Sequence, residues 1–461
     1  MSETLSRDLL DQSASRLVQA LADRQVSALE LTDAAIARIE ARDGPINAVV
    51  VRDFDRAREA ARAADAAIAR GERRPLLGLP MTVKESHNVA GLRTSWGSPM
   101  FGEWIAPQDS VGVSRLKAAG AIVLGKTNIP PFLSDWQSNN PVYGRTNNPW
   151  DLGRSPGGSS GGGAAALAAG MIPLEFGSDI GGSIRVPAAF CGVYGHKPSY
   201  GLVPGRGHAP PGMDGATLPL AVVGPLARSA ADLALALDVL AGPDADEAVG
   251  YRLALPPARR AGLAGHRVLV IDELPGVTTD SEIRAALADL AGKLERAGAT
   301  VARGSDLLPD PAAAREIYMG MLTTAMSRGD PQAQSISAHA WLNLLDAQLR
   351  IRRQWARLFQ DFDVVLSPAF VTVAYPHLDQ PDQATSTLTI DGRQTPYSDG
   401  LAWPGVATLA NLPATAIPIG QTRGGLPIGA QVIGPYLEDR TAIGFAALVE
   451  REFGGFRAPP V

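Results

Sequence analysis

The spacing of hydrophobic positions changes along the chain. Up to about residue 75 they recur at helical spacing, so that Leu29 and Ile36 share one face of a predicted helix. Ser27 precedes this face and Glu30 follows three residues later, which is the spacing of a capping box. An alanine- and arginine-rich run from about Asp53 to Gly71 predicts a further helix. Residues 1–75 are therefore predicted to form an N-terminal helical segment.

Beyond this segment, short apolar runs alternate with helical patterns. Leu76–Lys84 is a short apolar run that ends in a Lys-Glu pair, as expected where a buried strand leaves a sheet. Helical and buried-strand patterns then alternate in three segments, which span residues 110–124, 164–176 and 268–301. This alternation predicts an α/β fold in which helices cover both faces of a sheet.

The last third of the chain adds one long helix and one long irregular segment. Trp341–Phe359 has the pattern of an amphipathic helix, and it leads into a strand at Val364–Leu366. From Pro368 to Pro404 the chain is rich in Thr, Gln, Asp and Pro and has little periodicity. This segment is predicted to be the longest surface loop.

Bulk composition limits the function classes. The net charge is -5, and no run of Lys and Arg forms the positive patch that nucleic acid or an anionic membrane would require. The single cysteine, Cys191, excludes an internal disulfide and fits a reducing compartment. Because no apolar segment has the length of a membrane span or an export signal, we expect a cytoplasmic protein with no nucleic-acid or membrane partner. The sequence leaves the oligomeric state open, a homodimer included.

The stretch Ser155–Gly163, SPGGSSGGG, admits several interpretations. A flexible linker is disfavoured because a core helix is predicted directly after it. Gly157–Gly161 matches the nucleophile elbow of α/β-hydrolases, but the residues before it are polar and turn-rich rather than a strand. Gly120–Thr127 matches a phosphate-binding loop, but its variable positions form a strand and Pro130–Pro131 follow where a helix is required. Two interpretations of SPGGSSGGG therefore remain: its glycines allow tight helix packing, or its backbone forms part of an active site.

A second glycine-rich stretch follows a predicted strand. Gly181 and Gly182 can aim successive backbone N–H groups into one concavity, as an oxyanion requires, with Ser183 at its lip. A nucleophilic serine needs a base, and none of the six histidines lies in a recognisable triad context. Lys84 can serve if burial keeps it neutral. The simpler alternative for Lys84 is a solvated charge at the end of a strand.

Three stretches together resemble the amidase signature family: TVKE at Thr82–Glu85, SPGGSSGGGAAALAAG, and GSDIGGSIRVPAAFCGVYGHKPS. The separations also fit, with 75 residues from Lys84 to Ser159 and 24 from Ser159 to Ser183. The resemblance implies a single large α/β domain with a central mixed β-sheet flanked by helices on both faces. It divides the chain into the N-terminal helical segment (1–75), a signature core (76–240), a variable substrate-shaping region (245–400) and a C-terminal part of the core (401–461).

The resemblance also implies a mechanism. The implied catalytic triad is Lys84, Ser159 and Ser183. In it, Ser183 attacks the carbonyl carbon, and Ser159, which follows a cis peptide bond in the family, passes the proton to neutral Lys84. The implied oxyanion hole consists of the backbone N–H groups of Ile180, Gly181, Gly182 and Ser183. The implied supporting residues are Ser160, Ser178, Asp179 and Arg185. No metal and no organic cofactor is implied.

Four positions depart from the family pattern. Glu85 stands where many members have Asp, Ser178 where Thr is usual, Gly163 where Ser is common, and His196 where a hydrophobic residue is typical. None of them belongs to the triad, so the departures do not affect the expected chemistry. Because Ser178 is expected beside the acyl site, it bears on the size of the acyl group.

These observations predict an amidase that hydrolyses a small-molecule carboxylic amide to an acid and an amine or ammonia through an acyl-enzyme. Apolar content around Phe370, Trp341 and Trp403 favours an aryl or aliphatic amide, although a core role explains these aromatics equally well. One alternative is an esterase or carbamate hydrolase of the same family. A second is a glutamine-amidating transamidosome subunit, which the segment Ala402–Gly405 disfavours. A third is a binding module without activity, which the intact triad disfavours.

Overall fold

The computed structural model describes residues 9–213, 215–330, 332–379 and 381–460. The first eight residues of the predicted N-terminal segment lie outside these ranges. The segment itself contains the helices α1 (Ala14–Ala22), α2 (Ala28–Ile46) and α3 (Phe54–Ala69). The capping box of α2 is confirmed, because Ser27 Oγ accepts from the Glu30 N–H at 3.1 Å and the Glu30 carboxylate accepts from the Ser27 N–H at 2.9 Å. A short strand that the helical pattern did not predict, β1 (Val49–Arg52), separates α2 from α3.

The rest of the chain alternates between strands and helices. The strands are β2 (Pro80–Lys84), β3 (Ile122–Thr127), β4 (Asn139–Asn140), β5 (Gly144–Arg145), β6 (Leu174–Asp179), β7 (Tyr194–Lys197), β8 (Val222–Ala227), β9 (Arg267–Val270), β10 (Thr300–Ala302), β11 (Val364–Pro368), β12 (Thr387–Ile390), β13 (Arg393–Pro396), β14 (Ala414–Gln421) and β15 (Pro427–Ile433). The helices are α4 (Val111–Ala118), α5 (Gly161–Ala168), α6 (Arg185–Cys191), α7 (Ala230–Leu240), α8 (Ser281–Arg296), α9 (Pro311–Met326), α10 (Ala338–Asp361), α11 (Ala402–Leu409) and α12 (Asp439–Phe453).

Eleven strands form one mixed sheet, in the order β1-β3-β2-β6-β8-β7-β14-β15-β11-β9-β10. The pairs β2-β3, β2-β6, β9-β10 and β9-β11 are parallel, and the other pairs are antiparallel. Buried side chains of one strand divide between two hydrophobic clusters: Val364 and Leu366 join the first, and Val365 joins the second. Since side chains alternate across a strand, the two clusters cover opposite faces of the sheet. The predicted α/β class, with a mixed sheet between helices, is confirmed.

The segment predicted as a long surface loop is more ordered than its sequence pattern indicated. It contains the antiparallel hairpin β12-β13, whose turn at Asp391 and Gly392 has positive φ angles of 48° and 76°. Phe370 and Tyr375 from the same segment are buried in the second hydrophobic cluster. The prediction of a surface loop was therefore wrong for these parts.

The sheet brings the ends of three neighbouring strands together. Lys84 at the end of β2 pairs with Thr127 at the end of β3, and β6 runs parallel on the other side of β2 and ends at Asp179. Carboxyl ends of parallel strands are the usual location of ligand sites in α/β sheets. In the described residues, no helix is both long and apolar enough to cross a membrane.

Candidate active site

Lys84 is a buried base candidate rather than a solvated strand-end charge. Its side chain lies inside the protein, where Nζ is 2.6 Å from Ser159 Oγ and 2.9 Å from Ser178 Oγ. Burial lowers the pKa of Lys84 to about 7, although the negative charges of Asp179 and Glu175 oppose this shift. A substantial fraction of Lys84 is therefore neutral near neutral pH and can accept a proton.

The stretch SPGGSSGGG is part of the core. The Gly158–Ser159 peptide bond is cis, and the Ser159 hydroxyl contacts Lys84. A Cβ atom added at Gly157 would lie 2.6 Å from the Cα of Pro187, and one at Gly162 would lie 2.3 Å from the backbone nitrogen of Asn128. The glycines are therefore required by close backbone approach, and the linker interpretation is excluded.

Ser183 lies beside Ser159 and Ser160 at the start of α6. Its backbone carbonyl accepts a hydrogen bond of 3.1 Å from the Ser160 N–H. Ser160 Oγ in turn bridges to β6, donating to the Ser178 carbonyl at 3.3 Å and accepting from the Ser178 N–H at 3.4 Å. Within the described residues, the Ser183 hydroxyl makes no hydrogen bond. The structure thus brings the three predicted triad residues together and leaves the nucleophile candidate without a partner for its hydroxyl.

The loop between β6 and α6 is held by the carboxylate of Asp179. This carboxylate accepts from the backbone N–H groups of Gly182 at 2.9 Å and Ile184 at 3.0 Å. It also accepts from Arg185 Nε at 3.0 Å and Nη2 at 2.8 Å. Burial alone would raise the pKa of Asp179, but Arg185 and these donors hold that pKa at about 2. Asp179 therefore stays ionised and fixes the shape of the loop.

These contacts change one detail of the predicted oxyanion hole. The N–H of Gly182 already donates to Asp179, so in this structure it is not available as the oxyanion donor that the resemblance implies. Among the described residues, the N–H groups of Ile180, Gly181 and Ser183 have no acceptor. Three successive or nearly successive donors of this kind can bind a developing oxyanion.

Two aromatic residues hold the other side of the same loop, and sequence reasoning missed both. The hydroxyl of Tyr318 on α9 donates to the Ile180 carbonyl at 2.9 Å, and the indole Nε1 of Trp136 donates to the Gly181 carbonyl at 2.9 Å. Because the C=O and N–H of one trans peptide point in opposite directions, these contacts turn the N–H groups of Gly181 and Gly182 away from the aromatic donors. Neither residue lies in a recognisable motif, so no local signal could have identified them.

Arg185 connects this loop to the C-terminal part of the fold. Besides Asp179, its guanidinium donates to the Pro404 carbonyl at 3.0 Å, Gln431 Oε1 at 2.8 Å and Thr408 Oγ1 at 2.8 Å. All of these contacts are buried. Arg185 therefore ties the loop to the C-terminal part of the fold, and Gln431 is a hydrogen-bond partner of Arg185 that was not among the predicted site residues.

Two positions that depart from the family pattern, Glu85 and His196, make buried hydrogen bonds. Glu85 accepts from the Ser95 N–H and hydroxyl, the Trp96 N–H and the Tyr143 hydroxyl, so it anchors the loop after β2. His196 is hydrogen-bonded to Thr415 and Asp439, and none of its hydrogen bonds within the described residues is to a triad residue.

Lys126, the lysine of the apparent phosphate-binding motif, is fully buried in β3 and donates to the Arg93 carbonyl and to Thr94 Oγ1. Trp403 is fully buried and donates to Thr279, and Phe370 packs against Trp136. These two aromatic residues have core contacts, so they do not by themselves define a substrate pocket.

The chain belongs to the amidase family, whose model, described as Amidase, matches residues 30–331 and 321–443. The predicted resemblance to the amidase signature family is confirmed.

Relatives show this membership over nearly the whole chain. A glutamyl-tRNA(Gln) amidotransferase subunit from Anaeromyxobacter sp. (strain K) is 35% identical, covering 95% of this chain and 96% of the relative. A solved inhibitor-bound structure, described as a vestigial protein complex that reveals the origins of an s-triazine catabolic enzyme, is 31% identical with a TM-score of 0.83, covering 97% of this chain and 99% of the other. A bacterial aryl acylamidase of the amidase signature family is 26% identical with a TM-score of 0.81, covering 96% of both chains.

Proposed function

We propose that the chain is a serine amidohydrolase in which Ser183 is the nucleophile, Ser159 the proton relay and Lys84 the base. The observation that carries the proposal is the hydrogen bond of 2.6 Å between Lys84 Nζ and Ser159 Oγ, made by a fully buried lysine. A buried amine with a lowered pKa can take a proton from a neighbouring hydroxyl near neutral pH.

The reaction follows from this arrangement. Rotation about the χ1 torsion of Ser183 brings its hydroxyl toward Ser159. The hydroxyl oxygen then attacks the carbonyl carbon of the amide. Ser183 gives its proton to Ser159, and Ser159 gives its own proton to Lys84. The carbonyl oxygen becomes an oxyanion that the N–H groups of Ile180, Gly181 and Ser183 stabilise. The same relay returns a proton to the departing nitrogen, which leaves an ester on Ser183.

The acyl-enzyme is then resolved by a second attack. A water molecule attacks the ester carbon while Ser159 and Lys84 take its proton. Ser183 leaves with a proton returned by the relay, and the acid product is released. An ester or carbamate would react through the same steps, since an alkoxide leaves more readily than an amine.

For the amide that is cleaved, the comparisons favour glutamine over an aryl amide. The supporting observation is the identity of 35% over 95% of this chain with a glutamyl-tRNA(Gln) amidotransferase subunit. On this proposal the chain releases ammonia from glutamine and works with partner subunits on a tRNA-bound acceptor. The argument from Ala402–Gly405 against it weakens, because Trp403 is a core residue with a hydrogen bond to Thr279.

An uncharged amide cleaved by the chain alone is the second candidate. Its supporting observation is the apolar surroundings of the oxyanion loop, where Leu401 and Pro404 lie within contact distance of Gly181 and Gly182. The structural similarity to an aryl acylamidase is in line with this candidate.

Two experiments test these proposals in turn. A fluorophosphonate probe should label the wild-type chain at Ser183, and labelling should disappear in Ser183→Ala but persist in Ser134→Ala, a matched control outside the triad. Absence of label in the folded wild-type protein would favour a binding module instead.

The second experiment compares ammonia release from glutamine with hydrolysis of anilides, aliphatic amides, esters and carbamates by the purified chain. Rapid hydrolysis of simple amides with none of glutamine would remove the first candidate. Glutamine hydrolysis alone, stimulated by partner subunits of the amidotransferase type, would remove the second.

A further inference from the structure

Glu175 is a fully buried carboxyl group that the proposed mechanism does not use. It lies on β6, where the register pairs it with Thr82 on β2. Thr82 and Lys84 are two residues apart on β2 and therefore project to the same face of the sheet. Glu175 and Asp179 likewise share one face of β6. Lys84 on the neighbouring strand β2 therefore lies beside a strand face that carries two carboxyl groups, Glu175 before the level of Lys84 and Asp179 after it.

Two threonine hydroxyls hold this carboxyl group in place. Thr82 Oγ1 donates a short hydrogen bond to Glu175 Oε2, and Thr127 Oγ1 donates to Glu175 Oε1 at 2.6 Å. Thr127 lies on β3, where the register pairs it with Lys84. The Glu175 side chain thus extends from β6 across β2 to β3, next to the position from which Lys84 projects.

The departure at Gly163 has its physical reason here. A Cβ atom at residue 163 would lie 2.4 Å from Glu175 Cγ and 2.7 Å from Glu175 Oε1. Any larger residue at this position of α5 would have to displace the Glu175 side chain. Gly163 therefore leaves the space that Glu175 fills.

We propose that Glu175 is a positioning residue for the base, and that the charge on its carboxyl group sets the pH range in which Lys84 can accept a proton. This inference rests on the proposed role of Lys84. An ionised Glu175 stabilises the ammonium form of Lys84, whereas a protonated Glu175 leaves Lys84 neutral and able to act as a base.

Among the described residues whose charges act on Lys84, Glu175 is the one whose charge changes near neutral pH. Burial raises the pKa of Glu175 to about 7, while the hydrogen bonds from Thr127 and Thr82 and the charge of Lys84 oppose the shift. Asp179 stays ionised because Arg185 holds its pKa at about 2. His87 and His208 stay neutral because burial lowers the pKa of both.

The test measures the rate of Ser183 labelling by a fluorophosphonate probe as a function of pH. In Glu175→Gln the negative charge is absent at every pH, so the acid limb of the rate profile should move to lower pH by about 1 unit or more. Glu450→Gln, at a partly buried carboxyl group that accepts from Ala230 N–H on α7, is the matched control and should leave the limb in place. An unchanged limb in folded Glu175→Gln, or a shift to higher pH, would overturn the proposal.

A pair of variants at Thr82 gives an independent measurement if Glu175→Gln does not fold. Thr82→Val removes a hydroxyl that stabilises the ionised carboxyl group, so the limb should again move to lower pH. Thr82→Ser keeps the hydroxyl and should restore the wild-type limb. Equal limbs in the Val and Ser variants would contradict the proposal. Failure of the proposed function has a different signature, because the wild-type protein itself would then show no labelling of Ser183.

Discussion

Arg185 binds both carboxylate oxygens of Asp179 at 2.8 and 3.0 Å, and both side chains are fully buried. The two residues enclose the loop that carries Ser183, so the shape of the candidate oxyanion hole depends on this ion pair. A buried pair of this kind is fixed in geometry, because further hydrogen bonds hold both partners: Asp179 also accepts from backbone N–H groups of the loop, and Arg185 also donates to Gln431 and Thr408.

Arg185→Met should destabilise the fold strongly, because it leaves the ionised Asp179 buried without its partner. We expect the free energy of unfolding to fall by about 3 to 5 kcal/mol, measured by urea denaturation. Arg423→Ala is the control, since the Arg423 side chain is 98% exposed and its ion pair with Glu282 should contribute within about 0.5 kcal/mol. Similar losses in both variants would show that the Asp179 pair has no special role in stability.

We expect the buried Lys84 to lower the free energy of unfolding near neutral pH. Its pKa is about 7 in the folded protein and about 10.4 in an unfolded chain, so between these values the unfolded state binds more protons. The contribution of Lys84 to stability therefore increases as the pH rises from about 7 to about 10, by up to about 1.4 kcal/mol per unit.

Lys84→Met removes this proton linkage. The free energy of unfolding of the variant, measured in urea at several pH values, should rise less steeply with pH than that of the wild type. The variant should also be the more stable of the two near pH 7. Parallel pH curves for the two proteins would contradict the low pKa assigned to Lys84.

The catalytic candidates could be predicted from sequence because each lies in a contiguous glycine-rich or strand-end motif. The run Gly157–Gly163 is visible in the sequence although the contacts that require its glycines, with Pro187 and Asn128, form only in the fold. Lys84 is positioned by the strand it ends. The residues that hold the oxyanion loop were not predictable in this way. Tyr318 and Gln431 lie 138 and 246 residues from their partners Ile180 and Arg185 and approach them only in the folded chain.

The predictions for two segments were wrong, for different reasons. The strand β1 has four residues and one fully buried position, so it carries no measurable periodicity. The hairpin β12-β13 did carry a signal, because Leu388 and Ile390 alternate with exposed threonines before an Asp-Gly turn. The abundance of Thr and Gln around it led to the interpretation as a loop.

Gly162→Ala should be destabilising although it adds only one methyl group. The new Cβ would lie 2.3 Å from the backbone nitrogen of Asn128, and backbone cannot move aside as a flexible side chain can. We expect the free energy of unfolding to fall by about 1 to 3 kcal/mol. Gly292→Ala is the matched control, because a Cβ at this position in α8 would meet only the flexible end of the Arg296 side chain at 3.3 Å and alanine should stabilise the helix slightly. Equal effects of the two substitutions would contradict the close packing of α5.

Tyr318→Phe tests whether the aromatic residues align the oxyanion donors. The substitution removes the hydroxyl that donates to the Ile180 carbonyl at 2.9 Å and changes no charge. The loss of a buried hydrogen bond costs about 1 to 3 kcal/mol, and if that cost falls on the transition state the rate decreases by about 5- to 150-fold. Because the oxyanion exists only after attack, the rate of Ser183 labelling by a saturating fluorophosphonate probe should fall while the half-saturating probe concentration stays close to that of the wild type. Tyr251→Phe, at a tyrosine that is 69% exposed, should change neither quantity. A lower Tm with an unchanged labelling rate would mean that Tyr318 supports the fold and does not position the N–H group of Gly181.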